Sequence, residues 1–266
     1  MCFDHDSRPP IPRIEGASID ARELELAAED GNRFAAYLAE AAEPTGVGVV
    51  ILPDVRGLHA YYRELALRFA EHGVDAIALD WFGRTAGIGD RGPAFDWAPH
   101  VPETTYDGLR ADITAASANL RLQTSASRIH TIGFCMGGRL AFLSAGFGIG
   151  LAGAIGFYGW PVGPARNGTP APADVASTFR CPVLAVFGGA DEGIPADAIA
   201  TFRSQLEMAG TDSRIVTYAG APHSFFDRKA DQFATQSVQA WGEVLAFLGV
   251  ASDAAGAAGG GAGAAQ

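Results

Sequence analysis

Apolar residues in this chain form short runs that alternate with helical patterns. The runs are nearly continuous and cover residues 47–52, 76–79, 129–133, 152–158, 183–187 and 214–218. Helical patterns accompany them over residues 61–72, 106–121, 137–147, 196–208 and 231–248. Continuous apolar strands separated by helices are typical of a parallel sheet that is covered on both faces. The pattern therefore predicts an α/β fold with a mostly parallel central sheet and helices on both of its faces.

The two ends of the chain depart from this alternation. Strand-like runs at 23–28 and 33–39 flank Asp30-Gly31, a dipeptide typical of tight hairpins, so we expect an antiparallel hairpin before the main sheet. Residues 1–16 are rich in proline and polar side chains and predict an N-terminal extension. Residues 251–266 are mostly alanine and glycine and predict a flexible tail. A single domain is thus expected over residues 17–250.

Composition and charge limit the partners of this domain. The 266 residues are 48% hydrophobic, enough for one large core, and the formal net charge is −11 with a pI near 4.9. Such a field repels phosphate backbones and acidic membrane surfaces, so we expect neither nucleic acid nor a membrane as a partner. The uncharged segment between Arg139 and Arg166 is long enough to span a bilayer, but its glycines favour a buried helix, a loop and a strand.

Cysteine usage bears on the compartment. The three cysteines, Cys2, Cys135 and Cys181, cannot form a disulfide framework in a chain of this size. The first residues contain no basic segment followed by an apolar stretch, so no secretory signal is predicted. We therefore expect a cytoplasmic protein. Cys2 and His5 are too isolated to predict a metal site, and we expect none.

A candidate nucleophile lies at one strand-to-helix junction. The segment Gly133-Phe134-Cys135-Met136-Gly137-Gly138 follows a predicted strand and opens a predicted helix, in the G-x-nucleophile-x-G pattern with cysteine where serine is usual. The glycines relieve crowding at a sharp turn, and the helix start points backbone N–H groups at developing negative charge. We predict that Cys135 is the nucleophile. Cys181, which precedes Pro182 at the start of a strand, is predicted to be a packed core thiol.

Chain order selects the partners of this thiol. In folds that carry such a junction, the acid and then the histidine follow the nucleophile along the chain. Five of the histidines precede Cys135, which leaves His223, in a turn-forming loop before the last predicted helix, as the candidate base. Asp191 follows an apolar strand through a short loop that would bring its carboxylate to the imidazole. Glu192 and Asp197 remain alternatives for the acid.

A second loop is expected beside the nucleophile. Residues 53–57, Pro-Asp-Val-Arg-Gly, follow the predicted strand 47–52. The backbone N–H of Val55, together with that of Met136, would form an oxyanion hole, in which each donor contributes roughly 3 kcal/mol of transition-state stabilisation.

Four blocks of sequence, in order, resemble the dienelactone hydrolase family, the carboxymethylenebutenolidases of the α/β-hydrolase fold. The blocks are Asp80-Trp81-Phe82-Gly83-Arg84, Gly133-Phe134-Cys135-Met136-Gly137-Gly138, Gly188-Gly189-Ala190-Asp191 and Pro222-His223-Ser224-Phe225, and the likeness extends from about residue 47 to residue 248. The resemblance implies a carboxylic ester hydrolase that needs no cofactor and attacks a small lactone or ester carrying a carboxylate. We expect it to act as a monomer or small homo-oligomer.

The resemblance also implies substrate-binding residues. Arg84 matches an arginine that holds the substrate carboxylate, a task for which the planar guanidinium is well suited. Arg228 matches a second such arginine, although its distance from His223 is one residue longer than the family pattern. Asp54 stands where family members often carry a glutamate that contacts the resting thiol, and its shorter side chain need not reach Cys135.

Other functions remain open at the level of sequence. The fold hosts many substrates, so a hydrolase of another small ester or lactone is the nearest alternative. From a different class, Cys135 would be a redox-sensing or electrophile-sensing thiol in a protein without hydrolytic turnover, although no resolving cysteine lies nearby. A catalytically inactive binding module is disfavoured, because all three triad positions are filled.

Overall fold

The computed structural model describes residues 7–15, 17 and 19–251, so residues 252–266 of the predicted flexible tail and the pair Cys2 and His5 lie outside the described residues. The strands are β1 (Ile19–Ala27), β2 (Arg33–Ala41), β3 (Val47–Leu52), β4 (Val74–Leu79), β5 (Arg128–Phe134), β6 (Gly153–Phe157), β7 (Val183–Gly188) and β8 (Ser213–Tyr218). The α-helices are α1 (Ala60–Glu71), α2 (Gly83–Ala86), α3 (Tyr106–Gln123), α4 (Met136–Ser144), α5 (Ala196–Met208) and α6 (Ala234–Leu248). Short 3-10 helices cover Val101–Glu103 and Pro172–Thr178.

All of these strands belong to one mixed sheet. Their order is β1-β2-β4-β3-β5-β6-β7-β8; strands β3 to β8 are parallel to one another, and β2 is antiparallel to β4. The hairpin predicted around Asp30-Gly31 is present, since β1 pairs with β2 from Ile19 opposite Ala41 to Ala27 opposite Arg33. Gly31 has a φ of +84°, a conformation that a side chain would strain. The predicted α/β fold class, with a mostly parallel sheet, is confirmed.

The core lies on both faces of this sheet. Alternate residues of β3 divide between the faces, with Val49 and Ile51 on one and Val50 and Leu52 on the other. Helices α1 and α6 cover the first face, where the rings of Phe69 and Trp241 are 4.8 Å apart. Helix α3 covers the second face with apolar residues including Ile113 and Leu120. Because both faces are covered, the strands carry the continuous apolar runs seen in the sequence.

Two segments differ from the sequence-based expectations in detail. Ile11, within the predicted N-terminal extension, is buried in the core of the first face, because the chain runs across α1 there and Ile14 donates its N–H to Glu71. The final helix begins at Ala234 rather than at 231, since consecutive turns precede it. The uncharged segment after Arg139 forms most of α4, then β6 and a loop, and no described helix is long and apolar enough to cross a bilayer.

Candidate active site

Cys135 lies at a strained turn between β5 and α4. Its φ is +57°, a left-handed conformation that is rare for a residue with a side chain, and its N–H donates to the main-chain oxygen of Phe157 at 3.0 Å. A Cβ at Gly137 would lie only 2.0 Å from the main-chain oxygen of Leu52, and one at Gly138 would lie 2.4 Å from that of Phe157. Only glycine therefore lets α4 approach β3 and β6 closely enough to hold the turn. The thiol is nearly buried but reaches a cavity.

His223 and Asp191 meet at the edge of the same cavity. Nδ1 of His223 lies 2.6 Å from Oδ2 of Asp191, and the other carboxylate oxygen accepts the N–H of Gly193 at 2.9 Å. A carboxylate only accepts hydrogen bonds, so Nδ1 of His223 carries a proton and Nε2 is the atom that can take a proton during the reaction. Of the two alternative acids, Asp197 accepts the N–H of Ala198, and Glu192 lines the cavity without an ion pair to the imidazole. Asp191 is the carboxylate that the structure brings to His223.

Two aromatic rings enclose the imidazole of His223. The ring centroid of Tyr158 is 4.8 Å from that of the imidazole, and the ring centroid of Trp160 is 5.0 Å from it. Tyr158 has a φ of +37°, and Gly159 packs so closely on α4 that a Cβ there would lie 2.3 Å from the nitrogen of Arg139. Sequence reasoning interpreted this segment only as the turn that ends an apolar run. The available signal was the run Tyr158-Gly159-Trp160, two aromatic residues around a glycine, directly after a strand.

A cavity of about 770 Å³ brings most of the expected site residues together. Cys135, Met136, Val55, Asp191, His223 and Arg228 all line it. Within the described chain, the N–H groups of Val55 and Met136 donate to no protein acceptor, as an oxyanion hole requires. Apolar walls come from side chains that include Trp97, Val101 and Leu140. The described residues contain no group of His, Cys, Asp or Glu arranged to hold a metal ion.

The cavity carries positive charge in a chain that is strongly negative. Arg139, Arg166, Arg228 and Lys229 line it, against the two acids Asp191 and Glu192, and Asp191 is already bonded to His223. Among the described residues, none of these cations forms an ion pair. Only Arg228 was expected at the site from the sequence. Arg139 directly follows the nucleophile motif, but nothing in the sequence indicated that it, Arg166 or Lys229 would line the cavity.

Arg139 differs from the other cavity cations because its guanidinium is buried. It donates to the main-chain oxygens of Trp160, Gly163, Thr169 and Pro170 at 2.8–3.1 Å. Burial lowers its pKa to about 10. Arg139 therefore holds the loop that follows β6 against the helix that follows the nucleophile.

The structure does not place Arg84, which the resemblance implied as a substrate ligand, at the cavity. Arg84 lies on α2 and is absent from the cavity wall; its guanidinium instead donates to Asp30 at 3.1 Å and to Asp112 at 2.8 Å, and also to the main-chain oxygen of Gly108. A Cβ at Gly83 would lie 2.3 Å from the main-chain oxygen of Arg33, so α2 is packed directly on the hairpin. This packing turns Arg84 toward the carboxylates of Asp30 and Asp112.

Asp54 also lies away from the cavity wall. It is fully buried, its Oδ1 accepts the N–H of Arg56 at 2.9 Å, and its own N–H donates to the hydroxyl of Tyr62 at 3.0 Å. Asp54 is shorter than the glutamate that family members often carry at this position, and its carboxylate bonds to its own loop.

The parallel sheet, the strained turn at Cys135 and the later carboxylate and histidine together define a protein of the α/β-hydrolase class. The model of the dienelactone hydrolase family matches residues 34–252, and the chain belongs to this family of carboxylic ester hydrolases. A relative in Yersinia pestis, named as a carboxymethylenebutenolidase, is 30% identical over 222 residues, which cover 81% of this chain and 83% of the relative. A crystal structure from Klebsiella pneumoniae, named as a dienelactone hydrolase, aligns with a TM-score of 0.73 and 29% identity over 87% of this chain and 99% of that one.

Proposed function

We propose that the chain hydrolyses a small lactone or ester that bears a carboxylate, with Cys135, His223 and Asp191 as its catalytic triad. The observation that carries the proposal is the 2.6 Å contact between Nδ1 of His223 and Oδ2 of Asp191, beside the cavity that Cys135 also lines. The contact orients the imidazole and stabilises its protonated form. The strained conformation of Cys135 supports the role of its thiol, because such strain persists mainly at functional turns.

The proposed reaction has two halves. The thiolate of Cys135 attacks the carbonyl carbon, and the electron pair of the C=O bond moves to the oxygen, which the N–H groups of Met136 and Val55 hold. When the tetrahedral intermediate collapses, the alkoxide leaves with a proton from His223 and a thioester remains. A water molecule then gives a proton to His223 and attacks the thioester, and the thiolate leaves as the carboxylic acid is released.

Charge in the cavity supports a substrate that carries a carboxylate. Arg166, Arg228 and Lys229 line the cavity without ion pairs among the described residues, in a chain whose net charge is −11. With Arg84 held by Asp30 and Asp112, Arg228 is the expected carboxylate ligand, because a guanidinium binds a carboxylate with two parallel hydrogen bonds. A Bradyrhizobium relative named as a 2-oxo-3-(5-oxofuran-2-ylidene)propanoate lactonase, 26% identical over 82% of this chain, supports the same class of substrate. We also propose that the protein is cytoplasmic, since its three cysteines cannot form a disulfide framework.

Turnover of matched esters by cysteine variants tests the proposal. We expect Cys135→Ala to show no turnover of monophenyl succinate. Cys181→Ala should behave as wild type, because Cys181 is buried and does not line the cavity. A thioester adduct on Cys135 in quenched reactions would identify the intermediate by mass. Full activity of a folded Cys135→Ala protein would exclude the triad, and thiol labelling without any His223-dependent turnover would favour a sensor.

A further inference from the structure

A second carboxyl group lies behind the imidazole of His223. Asp227 is four residues further along the same loop, and its side chain is buried, only 3% exposed. Its Oδ2 accepts the hydroxyl proton of Tyr158 at 2.6 Å, and its Oδ1 accepts the N–H of Arg228. The ring of Tyr158 is the one that contacts the imidazole at 4.8 Å. Asp227 is therefore connected to His223 through a single side chain.

The surroundings of Asp227 raise the cost of its charge. Burial raises the pKa of Asp227 to about 8, the hydrogen bonds from Tyr158 and Arg228 oppose that rise, and the nearby Asp54 adds to it. Tyr61, on α1, donates to the main-chain oxygen of the adjacent Phe226, and its own pKa is raised by burial and by the charges of Asp227 and Asp54. His223, when it is protonated, attracts the ionised carboxylate and lowers the pKa of Asp227.

We propose that Tyr158 and Asp227 form a positioning pair for His223, in which Tyr158 supports one face of the imidazole and Asp227 supplies a charge that stabilises the imidazolium. The inference rests on the proposed role of His223 as the base of Cys135. Tyr158 has a φ of +37°, and strain of this kind persists mainly at functional positions. Trp160 limits the ring motion of His223 from another side, at 5.0 Å.

The charge of Asp227 gives the pair a measurable signature. At pH values well below 8, Asp227 is neutral and Tyr158 acts by packing alone. Above that pH, the carboxylate is ionised and favours the thiolate–imidazolium pair of Cys135 and His223 by direct attraction. The advantage of the wild type over a variant that cannot ionise should therefore grow as the pH is raised through this range. A purely structural contact would give an advantage that does not change with pH.

The test is the rate at which iodoacetamide alkylates Cys135 from pH 6 to pH 9.5, followed by peptide mass mapping. Asp227→Asn keeps the size of the side chain and an acceptor for Tyr158 but cannot ionise. We expect the ratio of the wild-type rate to the Asp227→Asn rate to rise by about threefold or more between pH 7 and pH 9, with a midpoint near 8. A ratio that stays constant over this range overturns the proposal.

Two further variants make the test specific. Tyr158→Phe keeps the ring but removes the hydrogen bond that lowers the pKa of Asp227, so the midpoint of the rise in alkylation rate should move to higher pH. An unmoved midpoint contradicts the proposed pair. This variant decides the question if Asp227→Asn does not fold. Asp75→Asn is the matched control, because Asp75 is a buried carboxyl in β4 with a raised pKa but lies outside the cavity. The ratio of the wild-type alkylation rate to that of Asp75→Asn should stay near one at every pH.

Alkylation does not require ester turnover, so the two proposals fail separately. Loss of hydrolysis with a retained pH-dependent ratio would reject the proposed function and keep the positioning pair. Normal hydrolysis with a ratio that does not change with pH would keep the proposed function and reject the positioning pair. Cys181 does not confuse the measurement, because burial raises its pKa to about 11 and its peptide is resolved from that of Cys135.

Discussion

Nη1 of Arg139 donates to the main-chain oxygen of Trp160 at 3.0 Å. Arg139 lies one helical turn after Cys135, and its N–H donates to the main-chain oxygen of that residue at 3.1 Å. The indole of Trp160, in turn, lies against the imidazole of His223. A single buried guanidinium therefore links the turn that presents the nucleophile to the loop that encloses the base.

Replacement of Arg139 by methionine should loosen this loop. The variant keeps part of the apolar stem but leaves several buried carbonyl oxygens without a donor, so we expect a loss of stability on the order of 3 kcal/mol. Because the loop forms a cavity wall, KM should rise more than kcat falls. Urea unfolding and steady-state kinetics measure both effects. Arg121→Met, which removes a comparable bond to Gly150 far from the cavity, is the control, and equal effects of the two variants on KM would contradict the expectation.

Replacement of Asp191 by asparagine should reduce kcat on the order of a thousandfold or more, with the fold intact. The amide no longer holds the imidazole in the tautomer that accepts a proton at Nε2, and it does not stabilise the imidazolium. Turnover of monophenyl succinate measures the loss. Asp197→Asn is the matched control, because the carboxylate of Asp197 accepts the N–H of its neighbour Ala198 and forms no recorded bond with His223. A larger loss in the control than in Asp191→Asn would assign the acid to another residue.

Replacement of Arg228 by methionine should distinguish charged from neutral substrates. Removal of a guanidinium that binds a carboxylate costs about tenfold in kcat/KM for monophenyl succinate, whereas its neutral methyl ester should change little. The comparison is informative because both esters use the same triad, so general damage would lower both rates equally. Equal losses for the two esters would mean that Arg228 supports the loop rather than the ligand.

Replacement of Arg84 by methionine should destabilise the protein without changing substrate preference. The variant leaves the fully buried Asp112 without its cationic partner, which costs roughly 3 kcal/mol for a buried carboxylate. The ratio of rates for the acidic and neutral esters should equal that of the wild type. Urea unfolding and the ester pair give the two readouts. A changed ratio at unchanged stability would restore Arg84 as a substrate ligand.

Stability should fall in acid partly because of His130. This buried residue in β5 packs against Phe247, and burial lowers its pKa from 6.5 to about 4. The unfolded chain therefore binds a proton between pH 6.5 and 4 that the folded chain does not, and the free energy of unfolding decreases as the pH falls through this window, by on the order of 3 kcal/mol. His130→Leu removes the titration, so its unfolding free energy should depend less on pH. Parallel curves for the two proteins would assign the acid sensitivity to other groups.

Local sequence determined the fold class and the chain order of the candidate catalytic residues. Continuous apolar runs predicted the strands because a strand covered on both faces has no polar side, and Asp30-Gly31 predicted the hairpin because its turn needs a positive φ. The glycines around Cys135 indicated the nucleophile turn, because the G-x-nucleophile-x-G spacing lies within a few consecutive residues. The close approach of Leu52 and Phe157 that requires these glycines comes from packing. The chain order then left His223 as the base and favoured Asp191 as the acid.

Tertiary packing decided which charged and aromatic residues share the cavity. Arg84 has the expected position in its motif, yet its partners Asp30 and Asp112 come from the hairpin and α3, so only packing shows that it is already bound. Arg139 and Tyr158 follow no local pattern, because each acts through contacts with segments about 20 to 70 residues away. The dihedral angles and periodicities that define elements are encoded locally, but the neighbours of a side chain depend on how distant elements pack.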